Sequence, residues 1–382
     1  MDRRKFRDNA PGDIIPIEGG EISFVPHPLP PCWKFPEKLW PLLNDASTKL
    51  GLLEGIGRHL PAANLLVRPL ARREAIQSSA IEGTYATPRE LLLFELDPIE
   101  PSQDDDPANS WKEVNNSQLA MQHGMASELP LSLRLIREMH RILLTGVRGA
   151  DRSPGEIRRL QVAIGFNRRF VPPPPHKLPE CLDGLEKAIN VPGAYHPLVE
   201  ALLAHYQFET IHPFTDGNGR VGRMLLVLMI QRRCQLTQPW LYLSDFFAKH
   251  RDEYVKRLFN VSARGDWSSW VEFGLTGVAE VAAATVARCE ELRVLRIEYL
   301  ERVRLSGGSV RLHAIVEQLF DAPFVRIADL ARKLDVTYPT AKADVERLMD
   351  AGILQDLTGV ATRTAYAHEI YRIAYSDLAG AE

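Results

Sequence analysis

The sequence predicts a mainly helical protein, and three observations carry that expectation. From Trp40 onward apolar residues recur at three- and four-residue spacing through most of the chain. One stretch, around Leu160, Val162 and Ile164, alternates apolar and polar residues as a strand does. A single amphipathic pattern runs unbroken from about 271 to 304.

Taken in order, residues 11 to 38 contain "VPHPLPPCWKFP", which predicts an extended segment laid over a later core, since repeated prolines forbid helix interiors. Helices follow in "LWPLLNDASTKLGLLEGIGRHL" and "ANLLVRPLARREAIQSSAIEG", the second spanning about 63–83 and closing at Gly83 as a C-cap should. The acidic, proline-punctuated segment 96–110 predicts a loop, and helices resume in "SWKEVNNSQLAMQHGMA" and "LSLRLIREMHRILL". "RRLQVAIGFNRRFVPPPP" predicts a short β-hairpin, its alternation shut off by prolines. "HPLVEALLAHYQFETI" and "GRMLLVLMIQRRC" predict helices flanking a loop at 212–223, and the long helix leads through "LSGG" to a last small domain. The expected boundaries are 1–114, 115–304 and 305–382, with no internal repeat.

With 382 residues, 45% hydrophobic and 25% charged, the composition is that of a globular protein with room for two or three domains. A formal net charge of −3 gives no general attraction to nucleic acid or anionic membrane. Cys32, Cys181, Cys234 and Cys289 are far apart and form no CxxC pair, which suits buried thiols in a reduced, cytoplasmic setting. The basic start leads into no apolar core of a signal peptide, and the dense run "MLLVLMI" is too short to span a bilayer, so neither export nor a membrane partner is expected.

The loop "HPFTDGNGRVGR" concentrates the chemistry. Its GNGRVG spelling satisfies G-x-G-x-x-G, but a dinucleotide fingerprint needs a feeding strand, and "AHYQFETI" reads as a helix. What survives is a glycine-rich loop opening a helix, whose exposed N–H groups and dipole favour an anion such as phosphate. Asp216 is a hard oxygen ligand suited to a Mg²⁺ that arrives with phosphates. Asn218 can donate to a phosphoryl oxygen, and Arg220 and Arg223, at i and i+3, can clamp the others. His212 is left to accept a proton near neutral pH as a general base on a hydroxyl. The set describes nucleotidyl or phosphoryl transfer. The plain alternative is a turn in which His212 caps a helix and the arginines are solvated, and their concentration in one twelve-residue loop weighs against it.

At these residues the chain resembles the Fic domain (filamentation induced by cAMP), whose signature HxFx(D/E)GNGRxxR is matched at His212, Phe214, Asp216, Gly217, Asn218, Gly219, Arg220 and Arg223. The resemblance implies a Fic-type helical core with a β-hairpin flap, and AMPylation: transfer of AMP from ATP to a target hydroxyl with release of pyrophosphate. It implies His212 as base, Phe214 as core anchor, Asp216 on Mg²⁺, and Asn218 with the amides of Gly217, Gly219, Val221 and Gly222 around the nucleotide phosphates. Arg220 and Arg223 would then reach the β- and γ-phosphates. "QVAIGFNRRFVPPPP" resembles the family's flap, which docks the target's backbone by strand addition. Ile164 and Gly165 would lie near the nucleotide and the "FNRR" tip near the target, the alternative being an ordinary surface hairpin. "HRDEYVKRLFNVS" resembles the segment that carries a Tyr-Tyr pair by the adenine, with Tyr254 kept, Val255 in the second place and Ser262 where the family has asparagine.

Glu82 breaks a local rule: a carboxylate in the last turn faces the negative end of the helix dipole at a cost of roughly 0.3–1 kcal/mol. Solvation of that charge is one explanation; a bidentate pairing with Arg223 is the other. "SSAIEG", Ser78 to Gly83, fits the pattern (S/T)xxxE(G/N) of the self-inhibited class, and the resemblance implies that Glu82 holds the second arginine and leaves ATP unproductively bound.

The C-terminal "VRLHAIVEQLF", "RIADLARKLDV", "YPTAKADVERLMDAGIL" and "TRTAYAHEIYRI" read as three helices and a β-wing, resembling a winged helix-turn-helix. DNA contact would fall to Thr337, Tyr338, Thr340 and Lys342, and packing or dimerisation is the alternative. Residues 310–382 hold 8 Lys+Arg against 11 Asp+Glu, a balance that weighs against DNA. The expected function is Mg²⁺-dependent protein AMPylation with ATP as co-substrate, restrained by Glu82, with a target protein docked on the flap. Self-AMPylation and a homodimer are compatible with it. Two other readings stay open: removal of AMP or transfer of another phosphate-containing group, and a DNA-binding regulator whose Fic core senses nucleotide.

Overall fold

The computed structural model describes residues 1–58, 64–103, 105–147, 153–165, 168–360 and 362–378. The expected start of the Glu82 helix at 63 and the flap tip at Phe166 and Asn167 lie outside the described residues. The chain opens with an antiparallel hairpin, β1 (Gly12–Pro16) and β2 (Ile22–Pro26), registered Gly12 to Pro26 and Pro16 to Ile22. The expected extended segment is therefore a paired ribbon. Phe24 is fully buried, its N–H donates to the carbonyl of Val171 (2.9 Å), and the Ser23 hydroxyl donates to that of Pro172 (2.7 Å). The carbonyls of the proline run find donors in this ribbon because the prolines have no N–H with which to build their own ladder.

The helical body follows as α1 (Trp40–Arg58), α2 (Asn64–Ile81), α3 (Pro88–Leu96), α4 (Ala108–Ala126), α5 (Leu133–Leu143), α6 (Leu178–Asn190), α7 (Pro197–Ile211), α8 (Asn218–Arg233), α9 (Ser244–Lys249), α10 (Arg251–Arg264) and α11 (Trp267–Leu305). α3 falls where no helix was expected. It is nucleated by a capping box in which Thr87 Oγ1 accepts from the Glu90 N–H and Glu90 accepts from the Thr87 N–H, with Pro88 in the first turn. α7 and α8 bury twelve of fifteen and twelve of sixteen residues, so they form the central layer rather than a surface pair. α11 is long and apolar enough by composition to cross a membrane, yet more than half of that window is buried inside the protein. It packs along α1, and its Trp270 indole donates to the Leu202 carbonyl of α7 (3.0 Å).

Among the described residues the expected hairpin within 158–175 is reduced to one bridge, in which Ile164 and Phe170 exchange both N–H···O bonds (2.8 and 3.1 Å). Leu160 is 74% exposed, so the alternation that suggested a strand does not face a core there. Beyond Phe170 the prolines cannot donate to a ladder, which limits pairing.

The C-terminal part runs α12 (Val310–Asp321), β3 (Phe324–Arg326), α13 (Ile327–Lys333), α14 (Tyr338–Asp350), β4 (Gln355–Asp356), β5 (Thr364–Tyr366) and α15 (His368–Tyr375), with an antiparallel sheet ordered β3-β5-β4. It does not hang on its linker alone. Phe324, Ala374, Tyr375 and Leu378 form one apolar cluster with Ile76 of α2, Leu91 and Leu92 of α3 and Val114 of α4.

Gly57 on α1 lies so close to the Trp240 indole that a methyl group there would meet the ring at 2.2 Å. Gly57→Ala is expected to destabilise the protein by about 1–3 kcal/mol through overpacking, read as a lower urea midpoint with an unchanged slope.

Candidate active site

The site is built by the way α7 gives way to α8. His212 caps α7 in the left-handed region (φ 51°), its N–H still bonded to the Phe208 carbonyl (2.9 Å), and Gly217 turns the chain back (φ 74°) so that α8 begins at Asn218. Between them Phe214 is fully buried and stacked on the His140 imidazole at 3.8 Å and 5°. His140 Nδ1 accepts the Gly155 N–H (2.8 Å), so its proton lies on Nε2 and is donated to the carbonyl of Asp216 (2.9 Å). Burial lowers the His140 pKa to about 4, so it stays a neutral strut. The Asp216 carboxylate accepts the Gly217 N–H (2.7 Å). Asn218, expected to face a phosphoryl oxygen, instead braces the loop: Oδ1 accepts the Phe214 N–H (2.8 Å) and Nδ2 donates to the Phe214 carbonyl (2.9 Å). A polar side chain buried at a helix start is satisfied by the nearest main chain, which is its own turn.

His212 is half-buried, and its Nδ1 lies 3.3 Å from the Glu209 carbonyl. A carbonyl can only accept, so Nδ1 carries the proton and Nε2 is the basic nitrogen. Burial is the main force lowering its pKa to about 4; the Glu209 carbonyl opposes this, and the Arg158 cation adds to it. The imidazole is therefore neutral at pH 7.

Arg223 is 2% exposed and reaches back to the end of α2. Nε donates to the Ser78 hydroxyl, and Nη2 donates to the Ser78 carbonyl and to Glu82 Oε1, each at 2.8 Å. Burial alone would raise the Glu82 carboxyl, but the charge and hydrogen bond of Arg223, with Arg220 and His212 beyond, hold it below its ordinary value. Arg220 Nη1 lies 3.4 Å from Glu113 Oε2, which also accepts the Thr84 hydroxyl (2.9 Å). Two more carboxylates flank Arg223: Glu209 and Glu74 are each pushed up to about 7 by burial, a rise that the arginine only partly offsets.

The glycine spacing has a geometric reason. A methyl group on Gly219 would stand 2.0 Å from Glu82 Oε1, and one on Gly222 would stand 2.3 Å from Glu209 Oε1. Each glycine opens the surface of α8 to a carboxylate. Val221 is buried in the core and its N–H bonds the Gly217 carbonyl (3.1 Å). Ile164 and Gly165 sit on the bridge of the flap, Gly165 at φ 76°. Tyr254, expected beside an adenine, is 3% exposed, stacked on Phe247 at 4.5 Å and bonded through its hydroxyl to His205 (2.8 Å). Its ring presents no open face to a base in this state. Ser262, at the family's asparagine position, bonds the Tyr206 hydroxyl (2.9 Å).

Sequence reasoning brought together His212, Asp216, Asn218, Arg220, Arg223, Ser78 and Glu82. It missed Glu113, Glu209, Glu74, His140 and Arg158, none of which carries a local signal.

A left-handed histidine against a helix whose first turn buries two arginines defines, on a helical core, a site for an anionic substrate and a proton acceptor. Residues 40–126 match the Fic/DOC family N-terminal region and residues 130–230 match the Fic/DOC family. The chain thus carries a Fic/DOC family N-terminal region followed by a Fic/DOC domain. It is 36% identical over 163 residues to the protein adenylyltransferase Fic of Drosophila grimshawi, a match covering 41% of this chain and 32% of that protein. Its match to the protein of the same name from Aedes aegypti is 34% over 145 residues, 37% of this chain and 27% of that protein. The chain thus spans only about a third of the length of these curated relatives. Among solved structures it resembles a Fic family protein from Desulfovibrio desulfuricans G20, with TM-score 0.54 and 21% identity over 88% of this chain and 98% of that one. It also resembles Fic-1 from C. elegans, with TM-score 0.53 and 24% identity over 68% and 74%. These likenesses show the fold.

Gly219→Ala is expected to push Glu82 off Arg223, since the clash is with the mobile end of a side chain rather than with backbone. The Glu82 carboxyl, freed from its cation, should then titrate at higher pH by NMR. A carboxyl that still titrates below its ordinary range would show that the pair survives.

Proposed function

We propose that the chain moves AMP from ATP onto a hydroxyl of a target protein, with release of pyrophosphate, and that Glu82 holds the reaction off. The observation that carries this reading is the contact of Glu82 with Arg223 beside a neutral His212. In the forward step Nε2 of His212 takes the hydroxyl proton as that oxygen attacks the α-phosphorus. The bond from that phosphorus to the bridging oxygen breaks, and pyrophosphate leaves with the electron pair. The N–H groups at the start of α8 and the cations of Arg220 and Arg223 would hold the phosphate oxygens. While Glu82 occupies Arg223, a terminal phosphate meets a carboxylate where it needs a cation, so ATP cannot seat with its α-phosphorus in line.

Asp216 supplies one hard oxygen, which suits a Mg²⁺ that keeps most of its coordination for phosphate and water. That ion would neutralise phosphate charge when bound. The names of the curated relatives support the reaction class. The unpaired state of Cys32, Cys181, Cys234 and Cys289 supports a reducing, cytoplasmic setting. In the C-terminal part the apolar cluster of Phe324, Ala374, Tyr375 and Leu378 with α2, α3 and α4 supports packing over DNA contact as its role.

Transfer of label to protein from α-labelled ATP with Mg²⁺ is expected to be weak for the native chain, strong for Glu82→Gly and absent for Glu82→Gly/His212→Ala, with none from γ-labelled ATP. Full transfer by the His212 variant, or transfer of γ-label, would overturn the reading.

A further inference from the structure

Arg158 is 4% exposed and, among the described residues, donates to no carboxylate. Its guanidinium instead donates to four main-chain carbonyls: Nε to His212 (2.8 Å), Nη1 to Leu160 (3.0 Å), and Nη2 to Pro173 (2.6 Å) and Ile211 (3.4 Å). Its own N–H donates to Pro213 (2.9 Å). Leu160 lies on the rising arm of the flap, Pro173 on the returning arm, and Ile211 to Pro213 on the turn that carries the proposed base. A buried cation without a counter-ion is retained only where its donors are fully used, and here they join three segments distant in sequence. The left-handed backbone of His212, which costs about 1–3 kcal/mol for a residue with a Cβ, needs such external restraint.

We infer that Arg158 is a positioning residue that locks the peptide of His212 to both arms of the flap, so that the base and a hydroxyl docked on the flap keep one geometry. This rests on the role of His212 proposed above. In a Glu82→Gly background, Arg158→Met and Arg158→Lys should each lower the maximal rate of α-label transfer on the order of 100-fold, with the KM for ATP within about twofold, because a small misplacement of reacting groups has that effect. The His212 imidazole, read by NMR without turnover, should titrate at higher pH in Arg158→Met, where the nearby cation is gone, and near its original pH in Arg158→Lys, where the charge remains but the fork does not. An unchanged rate in either folded variant, or a loss confined to the KM for ATP, overturns the assignment. Should the Met variant fail to fold, the Lys variant decides. A Glu82→Gly chain that transfers no label defeats the proposed function instead, and the titrations then decide this contact: an imidazole unmoved in Arg158→Met overturns it.

A different observation carries a second inference. The helix that ends in Glu82 is gripped by the C-terminal part through three arginines. Arg68 pairs with Asp321 (2.8 Å); Arg72 donates to the Asp321 carbonyl (2.6 Å); Arg73 pairs with Asp377 (2.5 Å) and donates to the Ala374 carbonyl (2.9 Å). The geometry points to a mechanical coupling: release of the C-terminal part from α2 loosens Glu82 from Arg223. Asp377→Asn, at an exposed position, is expected to speed amide exchange of residues 78–84 roughly tenfold and to raise α-label transfer toward that of Glu82→Gly. Exchange at 78–84 that matches the native chain overturns the coupling whether or not label is transferred.

Discussion

A guanidinium in the centre of a helical core is the constraint around which this molecule is arranged. Arg223 is almost without solvent, and the cost of burying a cation is offset here by partners for both its donors and its charge. Two helices answer it. α2 brings the Ser78 hydroxyl and carbonyl and the Glu82 carboxylate, α7 brings Glu209, and α2 again brings Glu74 from an earlier turn. The same helix α8 is braced from behind by His205, whose Nδ1 donates to the Gly222 carbonyl (3.0 Å) while Nε2 accepts the Tyr254 hydroxyl. Anything that alters the occupancy of Arg223 therefore acts on the packing of α2 against α8.

That arrangement gives the carboxylates unequal characters. Glu82 stays ionised because it touches the cation directly, while Glu209 and Glu74, more deeply buried and less directly paired, are pushed up to about 7. An incoming polyphosphate would compete with an ionised Glu82 for a site where net negative charge is already limited by burial. In the proposed reaction Glu82 and the incoming phosphate would thus share one cation, with no second conformation of α8 required.

The turn that carries His212 is held from the opposite side by bonds to its main chain. His140 pins the Asp216 carbonyl, Asn218 closes the turn on Phe214, and Arg158 collects the carbonyls of Ile211 and His212. With these bonds in place the left-handed His212 keeps a defined tautomer and an imidazole that is neutral at pH 7. The N-terminal ribbon extends the same frame outward: β2 caps the proline arm of the flap, and Arg168 reaches Glu21 (2.6 Å).

By itself the sequence determined the helices, because their apolar spacing is local, and it grouped His212, Asp216, Arg220 and Arg223, because they lie within twelve residues. It also contained the capping box that starts α3, legible as Thr87-Pro88-x-Glu90. Glu82 stood out as a carboxylate at the wrong end of a helix. Only the tertiary structure decided the rest. It set Glu113, Glu209 and Glu74 around the arginines, turned Asn218 inward, buried Tyr254 and reduced the expected hairpin to one bridge. It also joined the C-terminal part to α2. Each of these depends on which distant segment answers a buried charge or an unpaired main-chain group, and that choice is made by packing, which no local spacing encodes.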